Sequence, residues 1–348
     1  MTDRSAHQAE GAKRQQEFRR LAEPFRRELH VHCYRMLGSI DEAEDLVQET
    51  YLRAWRGFDN FETIEGASFR AWLYKISTNA CLNALASRKN RQRFLPHQLP
   101  PATGDLPSGA VIDIAWLEPY PNAYLEGIED NATNPEAVYT AREAVHLAFV
   151  AAIQLLPRRQ RAALLLCDVI GWTAAEAAAL LEGSAVSINS ALQRARATLA
   201  NHYPSGRPSV ALKPTPAQQR LLQRYLDVWQ RLDPEGLAAL LKEDVTVTMP
   251  PSLEWFSGRA AVMSFFRAWK CSGLRLVPTG ANGLPAFAVY ERTGGQWAAR
   301  SIHVLTLAHE FISTITVFGP PIGPNLFPSF GHPLILPDAG DTSSLSHS

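Results

Sequence analysis

The 348-residue chain contains no long apolar run. Its unbroken hydrophobic stretches fall far short of the roughly 20 residues that span a bilayer, so no transmembrane helix and no membrane partner are expected. The first 15 residues are polar, without the hydrophobic segment of a secretory signal, and the expectation is a cytoplasmic chain. Cysteine is scarce too: Cys33, Cys81, Cys167 and Cys271 form no Cys-x-x-Cys pair, which argues against a disulfide framework or a structural zinc site. His30, His32 and Cys33 are neighbours, but adjacent helical positions diverge by about 100°, a poor geometry for converging ligands. No metal and no cofactor are expected. Net charge is a third lack. Lys plus Arg and Asp plus Glu both number 34, which excludes a uniformly basic, histone-like binder but leaves room for local patches. What is present, 46% hydrophobic and 9% aromatic residues, suffices for globular cores, and the length suits two or three domains.

Neutrality hides an uneven distribution. Residues 1–93 carry net +3, residues 94–141 carry −7 with no Lys or Arg, residues 142–207 carry +3 and residues 208–348 carry +1. The acidic stretch is interrupted by Pro96, Pro100, Pro101, Pro107, Pro119 and Pro121 and reads as a linker. A second break falls where Pro204, Pro208, Pro214 and Pro216 cluster. The expected divisions are 15–93, a linker at 94–133, 134–203, a linker at 204–215, 216–330 and a tail at 331–348.

In the first division Phe25, Leu29, Cys33 and Met36 or Leu37 recur at helical spacing up to Gly38. Ser39-Ile-Asp-Glu42 forms a capping box for a second helix, reaching about residue 55, with Ala43, Leu46 or Val47, Thr50 and Ala54 inward. Its opposite stripe is Asp45, Gln48, Glu49 and Arg53, which is either a solvated face or a docking surface. A third helix over about 68–89 buries Phe69, Leu73, Ile76 and Ala80. It aligns Trp72, Lys75, Asn79 and Asn83 elsewhere and closes on Arg88, Lys89, Arg91 and Arg93. Terminal cations complement a helix dipole. Rings, amides and cations together also suit unpaired bases, since rings stack on base faces while Lys and Arg take phosphates.

The run Asp45-Leu-Val-Gln48-Glu49-Thr-Tyr-Leu-Arg-Ala-Trp55, followed by Phe69-Arg-Ala-Trp72-Leu-Tyr-Lys-Ile76 and Asn79, resembles region 2 of the bacterial sigma-70 family, extracytoplasmic-function group. That resemblance implies a helical bundle in which Asp45, Gln48, Glu49 and Arg53 dock on the β′ clamp of RNA polymerase. It further implies that residues 60–68 with Trp72, Lys75, Asn79, Asn83, Arg88 and Lys89 take the −10 element, where a base leaves the duplex for a protein pocket. Extrusion costs a few kcal/mol, which stacking and phosphate contacts must offset.

In the third division, Leu155-Leu-Pro157 precedes Arg158, Arg159 and Arg161 and an apolar helix. Thr173-Ala-Ala-Glu176 is a capping box for the next helix, and a turn at Glu182-Gly183-Ser184 leads to a last helix over about 185–199. Two helices joined by a short Gly-containing turn form either a helix-turn-helix or an ordinary helical hairpin. Residues 155–199 resemble sigma region 4, which implies that the last helix reads the −35 element through Ser187, Asn189, Ser190, Gln193, Arg194 and Arg196, and that the polymerase β flap is a partner. Asn and Gln bond adenine in pairs, and Arg takes guanine or phosphate. The sequence departs from the common pattern with Asn189 in place of Lys and Ala191 in place of Arg, which would lower the salt slope by about two charges if both positions touched DNA. Family members thread the linker through the polymerase, which would make Asp105, Asp113, Glu118, Glu126, Glu129 and Asp130 imitators of RNA charge. A solvated spacer is the alternative.

Residues 216–330 begin with a helix at Thr215-Pro216, burying Leu221 or Leu222, Tyr225, Trp229 and Leu232, then a second at Asp233-Pro234-Glu235. A strand over 245–249, a helix over 259–269 and strands over 274–279, 286–291, 297–307 and 311–318 make an α+β unit with an antiparallel sheet. The order, with Val-Thr-Met-Pro-Pro and Phe-Ser-Gly-Arg, resembles a SnoaL-like domain of the nuclear-transport-factor-2-like cone fold. The resulting fold class is multidomain: two all-α sigma domains and a C-terminal α+β cone. In the related sigma factors such a domain stands in place of a separate anti-sigma partner. The implied function is a sigma factor, not an enzyme, binding core polymerase and promoter DNA and regulated in cis. The alternative is a fused enzyme or ligand-sensing regulator. Trp229, Met249, Trp255, Phe265 and His303 are then either plain core or a cavity for a small apolar ligand. An acid–base site would need Asp227, Tyr225 or Tyr290 to approach His303.

Overall fold

The computed structural model describes residues 2–62, 68–87, 93–98, 114–126, 144–202, 214–268 and 273–337. Arg88, Lys89, Arg91, Asp105, Asp113, Glu129, Asp130 and most of the 60–68 loop lie outside the described residues. The chain divides into two compact units, one from Met1–Gln92 and Tyr124–Arg207, the other from Arg93–Ala123 and Pro208–Ser348.

The first unit opens with α1 (Thr2–Ala22), α2 (Arg26–Leu37), α3 (Ile40–Glu62) and α4 (Phe69–Ser87). Gly38 stops α2 in the left-handed region, φ 73°, as its sequence position foretells. The inward stripe of α3 is as expected, with Ala43, Val47, Thr50 and Ala54 fully buried. The helix nevertheless runs on past residue 55, because Phe58 is fully buried and packs edge-on against Phe18 and Phe69. Burial of those rings outweighs the propensity deficit of about 1 kcal/mol at Gly57. Cys33 and Cys81, distant in sequence, are both buried here, and burial with the Cys33 contact pushes the Cys81 thiol up. His32 Nε2 lies 2.9 Å from Thr78 Oγ1 in the same core.

The same unit includes α5 (Leu147–Gln154), α6 (Arg158–Leu164) running into a π-turn at Leu165–Val169, α7 (Ala174–Leu180) and α8 (Ala185–His202). These helices pack on the first four. The buried Arg161 guanidinium, 3% exposed, donates to the Met36 carbonyl, to Gln154 Oε1 (2.6 Å) and to the Gln154 carbonyl (2.7 Å). Gln154 in turn donates to the Arg35 carbonyl at 3.0 Å. Burial draws the Arg161 pKa down to about 10.

The second unit has helices α9 (Pro216–Arg231), α10 (Pro234–Ala238), α11 (Arg259–Ala268) and α12 (Ile322–Leu326). Its strands are β1 (Leu241–Thr248), β2 (Trp255–Ser257), β3 (Leu274–Ala281), β4 (Leu284–Thr293), β5 (Gln296–Ala308), β6 (Phe311–Phe318) and β7 (Ile335–Leu336). The α9 cap is the expected one, with Thr215 and Gln218 bonding reciprocally around Pro216. Leu232 departs from expectation: it is the left-handed C-cap of α9 and 42% exposed, so it cannot face the core. The sheet order is β2-β1-β6-β5-β4-β3, with β7 on β5. It is not wholly antiparallel, because β1 and β6 run parallel. The long connection between them, through a helix and four strands, permits that pairing.

Part of the expected linker belongs to this unit. Leu95, Trp116, Leu117 and Tyr120 are all buried. Tyr120 N donates to Asn282 Oδ1 (2.8 Å), Asn282 N donates to the Tyr120 carbonyl (2.7 Å), and Gly283 N donates to Asn122 Oδ1 (2.7 Å). Prolines prevent helix in this stretch, but its aromatic and aliphatic residues bury well in extended form.

Candidate nucleic-acid interface

A cavity of about 380 Å³ opens between α3 and α4, lined by Arg53, Gly57, Asn60, Phe61, Trp72, Ile76 and Asn79. Phe61 and Trp72 stack as one wall, centroids 4.8 Å apart and planes within 23°. Gly57 lets Trp72 close in: a Cβ there would stand 3.3 Å from the indole. Asn60 and Asn79 supply amides and Arg53 a cation, the chemistry that holds one planar, polar-edged ring. The sequence pattern points to Trp72 and Asn79 and places Asn60 and Phe61 in the −10 loop, but it misses Gly57, takes Ile76 for core and does not put Phe61 on α3. The cue was Phe61 one helical turn after Phe58, obscured because α3 was ended too early. Lys75 and Asn83 are exposed on α4, and neither lines the cavity.

On α3, Asp45, Gln48 and Arg53 are exposed and Glu49 is half-buried. Gln48 Nε2 donates to Glu44 Oε1 (3.1 Å), and Arg53 Nη2 donates to Glu49 Oε1 (2.6 Å). Leu52 lies on the same stripe and is 58% exposed, an apolar member that sequence reasoning did not single out. Arg53 serves both faces, pairing with Glu49 and lining the cavity.

In α7 and α8 the helix-turn-helix is present. Thr173 and Glu176 form the expected capping box, and Glu182 takes the positive φ of the turn, 52°. Along α8, Asn189, Gln193 and Arg194 are exposed and Ser190 is half-buried. Two candidates are already engaged. Ser187 Oγ accepts from Ser184 N (3.1 Å) and donates to the Ser184 carbonyl (2.7 Å), so it closes the first turn. Arg196 holds Asp168 through two bonds of 3.0 and 2.6 Å. Ala191 is buried, 8% exposed, so a cation at that position would not have faced DNA, and the expected deficit of two charges shrinks to one at Asn189.

In the second unit Trp229 and Phe265 belong to the apolar core and Met249 packs against it, while Trp255 is half-buried on β2. Tyr225 Oη lies 3.0 Å from His303 Nδ1, and Trp229 meets the same imidazole edge-on at 5.7 Å. Burial lowers the His303 pKa to about 3 and pushes the Tyr225 hydroxyl up. Both stay neutral near pH 7. Asp227 and Tyr290 do not join them: Asp227 accepts from Gln223 on the surface, and Tyr290 donates to the Pro333 carbonyl at 2.9 Å.

Residues 21–91 match the family described as sigma-70 region 2, residues 146–199 match sigma-70 region 4, and residues 222–315 match the SnoaL-like domain. The ECF RNA polymerase sigma factor SigG of Mycobacterium tuberculosis is 40% identical over 92% of this chain and 85% of its own length. The chain belongs to the ECF RNA polymerase sigma factors. As a sigma factor it directs transcription initiation. The ECF RNA polymerase sigma factor SigJ of Mycobacterium tuberculosis is 28% identical over 65% of this chain and 62% of its own length. The crystal structure of that organism's SigJ shares the fold, with a TM-score of 0.55 at 22% identity, covering 92% of this sigma factor and 99% of SigJ. The architecture of this sigma factor is therefore two helical sigma regions and a C-terminal SnoaL-like α+β domain. Among the described residues, no helix is long and apolar enough to cross a membrane.

Proposed function

We propose that this sigma factor binds core RNA polymerase through the α3 stripe of Asp45, Gln48, Glu49, Leu52 and Arg53. It opens promoters by taking an unpaired −10 base into the cavity walled by Phe61 and Trp72, and it reads the −35 element with α8. The cavity is the observation that carries the reading: stacked rings, two amides and a cation around one opening suit an extruded base better than an apolar ligand. The partner surfaces on this reading are the β′ clamp for α3 and the β flap for the region-4 helices, in the cytoplasm. The test is run-off transcription with purified core polymerase. Asp45→Ala with Gln48→Ala should weaken core binding and abolish promoter-specific transcripts. Asn79→Ala should keep core affinity and lose strand opening, measured by permanganate reactivity of unpaired thymines. Normal opening by Asn79→Ala would refute the cavity's role.

The C-terminal unit regulates in cis on this reading, supported by its hold on residues 114–123 through Asn282. Removing residues 208–348 would also strip the cover from Tyr120, so Asn282→Ala is the cleaner test. Its transcription rate should differ from wild type in either direction, and an identical rate from both the point variant and the truncation would count against regulation. The arrangement around His303 favours a filled core over a small-molecule site, since Tyr225, Trp229 and Phe287 pack directly on one another or on the imidazole.

A further inference from the structure

The outward face of α8 carries a residue that no assignment of hydrogen-bonding side chains includes. Val186 is 75% exposed, well above Leu52 at 58% and Leu334 and Ile335 at 52% each. Single exposed apolar residues need no explanation in general. Here the position gives one. Val186 stands in the first turn of α8, and Asn189, Ser190 and Gln193 follow at i+3, i+4 and i+7, so the four form a single stripe. Its backbone is fixed: Ser184 Oγ accepts from Ser187 N at 3.2 Å while Ser187 Oγ accepts from Ser184 N at 3.1 Å, clamping the turn in which Val186 sits. Because that bonding occupies Ser187, Val186 becomes the leading side chain of the face. A β-branched residue is also stiff at χ1, so little rotamer freedom is lost when it is placed against a partner.

The N-terminal residues of a recognition helix are the ones that meet base edges. Among the four bases only thymine offers an apolar group in the major groove, its C5-methyl. We propose that Val186 is a specificity-determining residue of the −35 reading face, packing its methyl groups against a thymine C5-methyl. This rests on the reading of α8 as the −35 helix. The rest of the stripe bears on specificity in the same direction, since Asn189 and Gln193 suit adenine edges. Val186 would discriminate by shape and solvation alone, without charge, so its contribution is independent of salt.

The test uses the full chain with core polymerase, selecting from a DNA pool randomised across the −35 element. Wild type should select thymine at one position. Val186→Ala, an exposed change that leaves the core intact, should relax that preference about threefold to fivefold while other positions stay as selected. Val186→Thr, of the same shape with one methyl replaced, should fall between. Deoxyuridine in place of the selected thymine removes only the methyl, and it should lower wild-type occupancy by the same factor with no effect on Val186→Ala. Two outcomes would overturn the assignment: identical selected sequences for wild type and Val186→Ala, or a loss of core-polymerase affinity with preference intact, which would turn Val186 toward the polymerase. Asn189→Ala separates the levels. If it alters an adenine position while Val186→Ala alters nothing, only the thymine contact fails; if neither alters any position, the reading of α8 fails.

Discussion

His303 illustrates how burial decides chemistry at the scale of one residue. Its imidazole titrates near 3 in the folded unit against about 6.5 in an unfolded chain. The unfolded state therefore binds the extra proton first. Stability is fully present above pH 6.5 and falls as the pH drops toward 3, by at most about 1.4 kcal/mol per unit. Thermal unfolding of the C-terminal unit should move to lower temperature between pH 7 and 5.5, and His303→Gln should flatten that slope. An unchanged slope would mean that the imidazole is charged or solvated in the folded state. Arg161 is the converse case, a charge kept in the core by four acceptors: the Met36, Gln154 and Leu156 carbonyls and Gln154 Oε1. Arg161→Ala leaves all four without this donor, and should destabilise the first unit by about 3 kcal/mol in urea unfolding.

Among the elements, the β3–β4 hairpin does more than turn the chain. Asn282 adopts φ 55° and Gly283 φ 73°, the left-handed pair that a two-residue hairpin needs, and the Asn282 side chain then holds Tyr120. Tyr120→Ala should cost about 3–5 kcal/mol of second-unit stability, as for other fully buried aromatic residues. The Asp168–Arg196 clamp on α8 is exposed on the Arg side and contributes little to folding. Asp168→Asn should free the guanidinium and steepen the salt dependence of DNA binding by about one charge, measured by titration of duplex at several salt concentrations. Most elements were legible in the sequence because their signals are local: Thr173-Ala-Ala-Glu176 and Thr215-Pro216 cap helices, and β6 falls at its expected limits, Phe311–Phe318. What was not legible depends on distant packing. The Phe58–Phe61 spacing extends α3 but does not reveal the stack on Trp72, the spacing of Arg196 does not reveal Asp168 as its partner, and the Trp116 segment looks like a linker until the Asn282 hairpin is beside it. Asn282-Gly283 itself was a readable turn signal that the strand pattern overshadowed.

For the molecule as a whole, the zero net charge conceals two mildly basic blocks and an acidic stretch. Of the acids in that stretch, Glu118 lies 3.6 Å from Arg93 with both side chains largely buried, so it is tied into the second unit rather than displayed as mobile charge. The two sigma regions share one compact unit, joined at Arg161. On the proposed reading this one unit must serve both the −10 and the −35 element. The same reading predicts that the two regions move apart when polymerase and promoter are engaged, so that the distance between labels at Asn83 and Gln193 lengthens on core binding. The most direct test of the account is transcription from a randomised promoter pool by core polymerase with the full chain. The account predicts that wild type enriches a defined −10 and −35 pair, that Asn79→Ala loses strand opening at it, and that the Asp45→Ala, Gln48→Ala double variant enriches nothing. Enrichment of the same pair, with normal opening, by all three proteins would contradict it.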